Sequence, residues 1–341
     1  MPGIIERYRS YLDLPDGVDP VTLSEGSTPL ISMPELASEL GASELYIKFE
    51  GANPSGSFKD RGMTTAISEA AARGASAVIC ASTGNTAASA AAYAARAGLR
   101  CVVLLPRGKV ASGKLAAVHM HGAQVVEVEG SFDLALGLAR NLSERTPIGL
   151  VNSLNPYRLE GQKTAAFEIV DALEAAPDWL ALPVGNAGNI SAYWMGFLQL
   201  QVSGLPRLLG VQASGAAPLV QGRVIEQPET IATAIRIGNP ARGEQALSAA
   251  DESGGRIIAV PDQEILDAQR DLAHQGLWVE PASAAGLAGL RSDVQARRLD
   301  LSGQRVVCVC TGHGLKDPTT IEGATTLIQP TIQALEELLG L

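Results

Sequence analysis

Short β-branched apolar runs alternate along this chain with alanine-rich stretches of helical length, and that alternation restricts the fold more than any other feature. Ala77 to Ala81 reads as a strand, Thr86 to Ala97 as a helix, Cys101 to Leu105 as a strand, Ser112 to His121 as a helix and Gln124 to Val128 as a strand. Continuous apolar runs suit strands buried on both faces, and a helical crossover lets the next strand run parallel to the last. Gly98, Pro106-Arg107-Gly108 and Gly122 fall where the turns must lie. A second series has strands at Trp179 to Val184, Arg207 to Val211, Arg256 to Val260 and Arg305 to Cys310. Its helices fall near Gly161 to Glu174, Ile190 to Gln201, Glu264 to Ala273 and Ser283 to Leu290. With 46% apolar but only 4% aromatic residues, the bulk of the interior comes from alanine, valine and leucine. At 341 residues the chain outgrows one ordinary core. The expected class is α/β, with two open, twisted, mostly parallel sheets flanked by helices. Gln221 to Gly255 has poorer periodicity and reads as surface or domain-contact structure, and Ile332 to Leu339 reads as a closing amphipathic helix.

With 36 acidic against 26 basic residues the formal charge is −10. A chain so acidic is not expected to bind nucleic acid or an anionic membrane, and an anionic substrate needs local cations. The start has no basic segment leading into an apolar core, and no apolar stretch reaches membrane-spanning length, so the expected location is cytoplasmic. Cys80, Cys101, Cys308 and Cys310 sit in or beside β-branched runs and read as buried thiols. Cys308 and Cys310 with His313 match neither the spacing nor the ligand count of a zinc site, so no metal is expected.

Chemistry-bearing residues fall in loops that follow the strands, where open α/β sheets bind their ligands. In Ser55-Gly56-Ser57-Phe58-Lys59-Asp60-Arg61-Gly62, small residues give Lys59 a flexible approach and Phe58 disfavours its ammonium form, as a covalent lysine requires. Ser82-Thr83-Gly84-Asn85-Thr86 offers hydroxyls and a helix N-terminus to a carboxylate, although a plain helix cap uses the same residues. Gly185-Asn186-Ala187-Gly188-Asn189 lets backbone N–H groups approach a phosphate, although a turn needing positive φ reads the same way. Thr311, after the strand Arg305 to Cys310, places a hydroxyl at a strand end. Asn152-Ser153-Leu154-Asn155-Pro156-Tyr157-Arg158 combines a guanidinium with an amide and a hydroxyl, a set that suits phosphate or merely a polar capping loop.

Lys48 to Pro54 runs directly into the lysine loop, and the whole stretch resembles the pyridoxal-phosphate lysine segment of the threonine synthase group within the fold-type-II pyridoxal-phosphate enzymes. The likeness extends from about Glu25 to Pro318 and includes Glu280 to Ala285, to which no chemistry is assigned. It implies a small domain, 53–129, inserted in a larger one made of 1–52 and 130–341. It implies that Lys59 carries pyridoxal 5'-phosphate, Asn85 contacts its ring oxygen, Gly185, Asn186, Ala187, Gly188 and Asn189 hold its phosphate, and Thr311 faces its ring nitrogen. Ser82, Thr83 and Thr86 would take the substrate carboxylate, and Asn152, Ser153 and Arg158 the phosphate of O-phospho-L-homoserine. The implied activity is threonine synthesis by γ-elimination of phosphate and β-addition of water, in a homodimer. A serine or threonine dehydratase shares the lysine and glycine loop, and a silent cofactor-binding protein is the alternative of another kind.

Overall fold

The computed structural model describes residues 2–108, 115–202, 204–318 and 325–340. It opens with α1 (Ile4–Tyr8), β1 (Leu30–Ser32), α2 (Pro34–Leu40), β2 (Glu44–Phe49) and α3 (Lys59–Ala72). Next come β3 (Ala77–Ala81), α4 (Asn85–Ala97), β4 (Arg100–Pro106), α5 (Ala116–Met120), β5 (Gln124–Val128), α6 (Phe132–Arg145) and β6 (Ile148–Leu150). The remainder is α7 (Pro156–Leu173), β7 (Trp179–Pro183), α8 (Gly188–Leu200), β8 (Arg207–Ala213), α9 (Pro218–Gln221), α10 (Gly243–Glu252), β9 (Arg256–Val260), α11 (Asp262–His274), α12 (Pro281–Gln295), β10 (Arg305–Cys310) and α13 (Ile332–Leu339).

Two sheets form. The larger runs β1-β2-β10-β7-β8-β9 and the smaller β5-β4-β3-β6, parallel throughout except where β1 meets β2. Alternation along β10 shows why its run is apolar without interruption. Val306, Cys308 and Cys310 enter one core, which holds Ala282, Ala285 and Leu287 of α12, while Val307 and Val309 enter another with Ile190, Tyr193 and Phe197 of α8. In the smaller sheet Val78 and Cys80 pack with Met63 and Ala66 of α3, and Ile79 and Ala81 with Ala135 and Ala139 of α6.

β6 pairs with β3, Ile148 opposite Ala77, so the smaller sheet draws on residues beyond Glu129, where the sequence reading ends the small domain. The helix expected from Ser112 begins at Ala116, and the expected residues 112–114 lie outside the described ones. The weakly periodic Gln221 to Gly255 contains α10. α13 forms at its expected bounds, with none of its residues buried.

One close approach sets the site. A Cβ on Gly161 of α7 would lie 1.9 Å from the carbonyl oxygen of Arg61 on α3, and a Cβ on Gly62 would lie 2.7 Å from Arg158 Nε. Only glycine lets α3 and α7 touch backbone to backbone, which puts Arg158 beside the helix that Lys59 begins.

Candidate active site

Lys59 is the first residue of α3. The loop before it is sewn to the loop after β10: Phe58 N–H donates to Thr311 O at 2.9 Å, His313 N–H donates to Gly56 O at 2.9 Å, and Ser57 bridges Gly312. Gly56 takes φ 84° to make this turn. Lys59 and Thr311, far apart in sequence, are thereby neighbours. Lys59 Nζ lies 4.0 Å from the Phe58 ring centroid. Although the side chain as a whole is only half-buried, desolvation of the amine, followed by repulsion from the Arg158 guanidinium, lowers its pKa to about 7 against a partial offset from Glu280. At neutral pH much of it is therefore a free amine.

Asn85 opens α4 and donates from Nδ2 to both carboxylate oxygens of Glu280, at 2.9 and 3.1 Å. Glu280, to which the sequence reading gave no chemistry, is buried, and desolvation pushes its pKa up to about 7 despite the Asn85 donor and Lys316. A Cβ on Gly312 would meet Glu280 Oε1 at 2.5 Å, so the glycine after Thr311 makes room for this carboxylate. Thr311 Oγ1 lies 2.9 Å from Ser283 Oγ, which accepts the Gly312 N–H at 2.8 Å.

The loop Gly185 to Asn189 leaves β7, next to β10 in the sheet, and enters α8 at Gly188. Ala187 is held at φ 65°, a strained value for alanine that turns the loop toward the helix start. A Cβ on Gly185 would lie 3.1 Å from Ile235 Cα. Asn189 Nδ2 and Ser57 Oγ are buried without a hydrogen-bond partner, and a helix start leaves its first N–H groups without intrahelical acceptors. Unmet donors at a helix start, a lysine poised as a free amine and an asparagine amide beside it form a donor set that fits a phosphorylated aldehyde.

Ser82, Thr83 and Thr86 lie half-buried around the start of α4, with Ser82 Oγ accepting the Gly84 N–H at 3.2 Å. Asn152 is engaged within the fold. Its Oδ1 accepts Ala81 N–H at 2.9 Å and its Nδ2 donates to Ala81 O at 2.8 Å, so the amide prolongs the β6–β3 pairing and keeps one N–H in reserve. Arg158 is buried, donates from Nη1 to Val151 O at 2.8 Å and leaves Nε without a partner. Desolvation lowers its pKa to about 10, with Cys80 and Asp60 offsetting part of that shift. A buried cation so poorly neutralised attracts an anion.

Fold and donor set thus suit an enzyme that uses an aldehyde cofactor. The profile of the family described as pyridoxal-phosphate dependent enzyme matches residues 21–312, and the chain belongs to that family. Within it, the chain falls among the threonine synthases. It is 55% identical over 322 residues to the threonine synthase of Halalkalibacterium halodurans, covering 93% of this chain and 90% of that protein. It is 58% identical over 322 residues to that of Synechocystis sp., covering 93% and 84%. Among solved structures, maize serine racemase superposes with a TM-score of 0.75 at 22% identity, covering 92% of each chain, a likeness of fold. Pyridoxal phosphate is the cofactor.

Proposed function

We propose that this chain acts as a threonine synthase, converting O-phospho-L-homoserine and water to L-threonine and phosphate. When bound, pyridoxal phosphate would withdraw electrons from the substrate carbons, so that protons can leave Cα and Cβ, phosphate can leave Cγ, water can add at Cβ and protons can return to Cγ and Cα. Lys59 would hold the cofactor through its amine and, when not bonded to it, would move those protons as a base. Its low proton affinity at neutral pH suits both roles. Asn85, oriented by Glu280, would contact the cofactor's ring oxygen. Gly185 to Asn189 hold the cofactor phosphate, with Asn189 Nδ2 an unused donor there. Thr311 would offer the ring nitrogen a hydroxyl, which cannot keep that nitrogen protonated as a carboxylate would.

The observation that carries the substrate assignment is Arg158, a buried guanidinium with an orphaned Nε beside the lysine helix. With Ser153 it receives the substrate phosphate, while Ser82, Thr83 and Thr86 receive the carboxylate. A dehydratase acting on serine or threonine has no phosphate for such a cation. Asn152 shapes this pocket through Ala81. We place the enzyme in the cytoplasm as a homodimer, with a small domain carrying Lys59 and the carboxylate loop inserted in a larger one. Among the described residues no helix is long and apolar enough to cross a membrane.

The test is turnover of O-phospho-L-homoserine against L-threonine by the same preparation. Phosphate release with threonine formation is expected, whereas 2-oxobutanoate from threonine as the main product would replace this reading with the dehydratase. Borohydride reduction followed by peptide mapping is expected to leave the pyridoxyl group on Lys59, and a label on another lysine would move the centre of the site.

A further inference from the structure

The turn that opens α10 touches both candidate phosphate loops. Ala241 N–H points to Asn186 Oδ1 at 3.5 Å. The next residue, Arg242, donates from Nε to Ser153 O at 3.1 Å, from Nη2 to Leu154 O at 3.2 Å and from Nη1 to Gln245 Oε1 at 2.9 Å. Its stem passes the start of α8, since a Cβ on Gly188 would lie 3.8 Å from Arg242 Cδ. Ser153 and Leu154 follow β6 of the smaller sheet, while Asn186 and Gly188 follow β7 of the larger. Two consecutive residues thus span the sheets at the point where one loop is offered to the substrate phosphate and the other to the cofactor phosphate.

We propose that Arg242 is a positioning residue that sets the spacing of these two loops and thereby the enzyme's affinity for a phosphorylated substrate. The proposal rests on the function proposed above. The Ser153 and Leu154 carbonyls and the Gln245 amide oxygen that accept from Arg242 are uncharged, so its role here is not that of one half of an ion pair. A guanidinium fork holds two successive carbonyls and a side-chain amide in one geometry, which a lysine ammonium on its flexible stem does not reproduce. With both carbonyls released, the Ser153–Leu154 segment would have to be ordered each time a phosphate binds, and affinity falls by that cost. The reacting carbons are not touched, so the saturated rate is expected to stand.

The experiment uses the holoenzyme and the variants Arg242→Gln and Arg242→Lys. It reads kcat and KM for O-phospho-L-homoserine, the dissociation constant of inorganic phosphate by calorimetry, the cofactor absorption band and the thermal midpoint. For Arg242→Gln, KM and the phosphate constant are expected to rise together by about five- to tenfold, as loss of one or two hydrogen bonds from a charged donor allows. The rate kcat is expected to stay within about twofold and the absorption band to be unchanged, with Arg242→Lys intermediate. Parental KM and phosphate affinity in both variants would overturn the proposal, as would a fall in kcat and cofactor content with phosphate affinity intact, because that pattern marks a general structural role. Should Arg242→Gln not fold, Arg242→Lys decides alone: raised constants support the proposal and parental ones sink it. Phosphate binding is read without turnover, so a failure of the threonine synthase reading shows in the unmodified enzyme and is not confused with a failure here.

Discussion

At the scale of single residues, two cations without adequate counterions define the site. Lys59 holds its proton only below about pH 7, first because it is desolvated and next because Arg158 repels the ammonium form. A base with a lowered pKa is active above that value and is lost as pH falls through it, and Lys59 is a free amine only once the substrate has displaced it, so kcat is expected to drop on the acid side with a limb near neutrality. Arg158→Ala then has two readouts. Loss of a charge-assisted hydrogen bond to the substrate phosphate, worth roughly 1.5–3 kcal/mol, lowers kcat/KM by at least about tenfold. Removing the second cause of the Lys59 shift lets its pKa climb back toward the usual lysine value, so the acid limb moves to higher pH. Steady-state kinetics across pH check both, with the cofactor absorption band unchanged. A variant with parental kcat/KM and a parental acid limb would remove Arg158 from the phosphate pocket and from the surroundings of Lys59.

At the scale of elements, much was legible because much was local. β3, β5, β9 and β10 have the bounds that their β-branched apolar character predicts. The loops were placed by the same logic, since each follows a strand. Membership of a sheet is less visible: β6 is three residues long with a glycine at its centre, and only its pairing with β3 assigns it to the smaller sheet. Glu280 escaped for a related reason. Its raised pKa comes from burial, which Asn85 and Lys316 only partly offset, and Asn85, Gly312 and Lys316 reach it through the fold and not through nearness in sequence. Arg242 lay in a stretch whose pattern says little, because its contacts are backbone carbonyls of a remote loop, which leave no trace in side-chain periodicity. Asn152 shows how an element can end in a side chain. Its amide takes the place of one more β6 residue opposite Ala81, immediately before the carboxylate loop. Asn152→Ala strands a buried N–H and C=O, at about 1–3 kcal/mol each when left unsatisfied. The expected result is a lower thermal midpoint together with a higher KM through displacement of Ser82. A parental midpoint would show that water or another group satisfies Ala81 as well.

At the scale of the whole molecule, the two sheets are tied behind the site by a buried ionic network. Arg61, two residues after Lys59 on α3, donates from Nε to Glu50 Oε2 at 2.7 Å and from Nη2 to Glu168 Oε2 at 2.6 Å. Glu168, on α7, also receives Lys48 Nζ at 2.7 Å, and Lys48 belongs to β2 of the larger sheet. Thr28 and Asn53 donate to the remaining Glu50 sites, at 2.7 and 3.0 Å. Burial alone would raise the pKa of Glu50 and Glu168, but Arg61 overrides it and holds both below the usual carboxylate range. Their folded pKa values are depressed, so this contribution to stability is complete above the unfolded value of about 4.3 and is lost as pH falls through the folded values. Arg61→Met keeps the stem and removes the charge, leaving two carboxylates in an apolar interior with Lys48 as their remaining cation. Removing one partner of a buried pair costs about 3–5 kcal/mol, more than a surface pair could. The cost has a pH signature. In the variant both acids are pushed upward and bind protons that the native network excludes, so the deficit is largest at neutral pH and shrinks toward pH 5 as protonation removes the unpaired charge. Urea denaturation at pH 7 and pH 5 is expected to show a lower midpoint at both, with the larger gap at pH 7. A gap of equal size at the two pH values would mean that lost packing, and not unpaired charge, explains the effect.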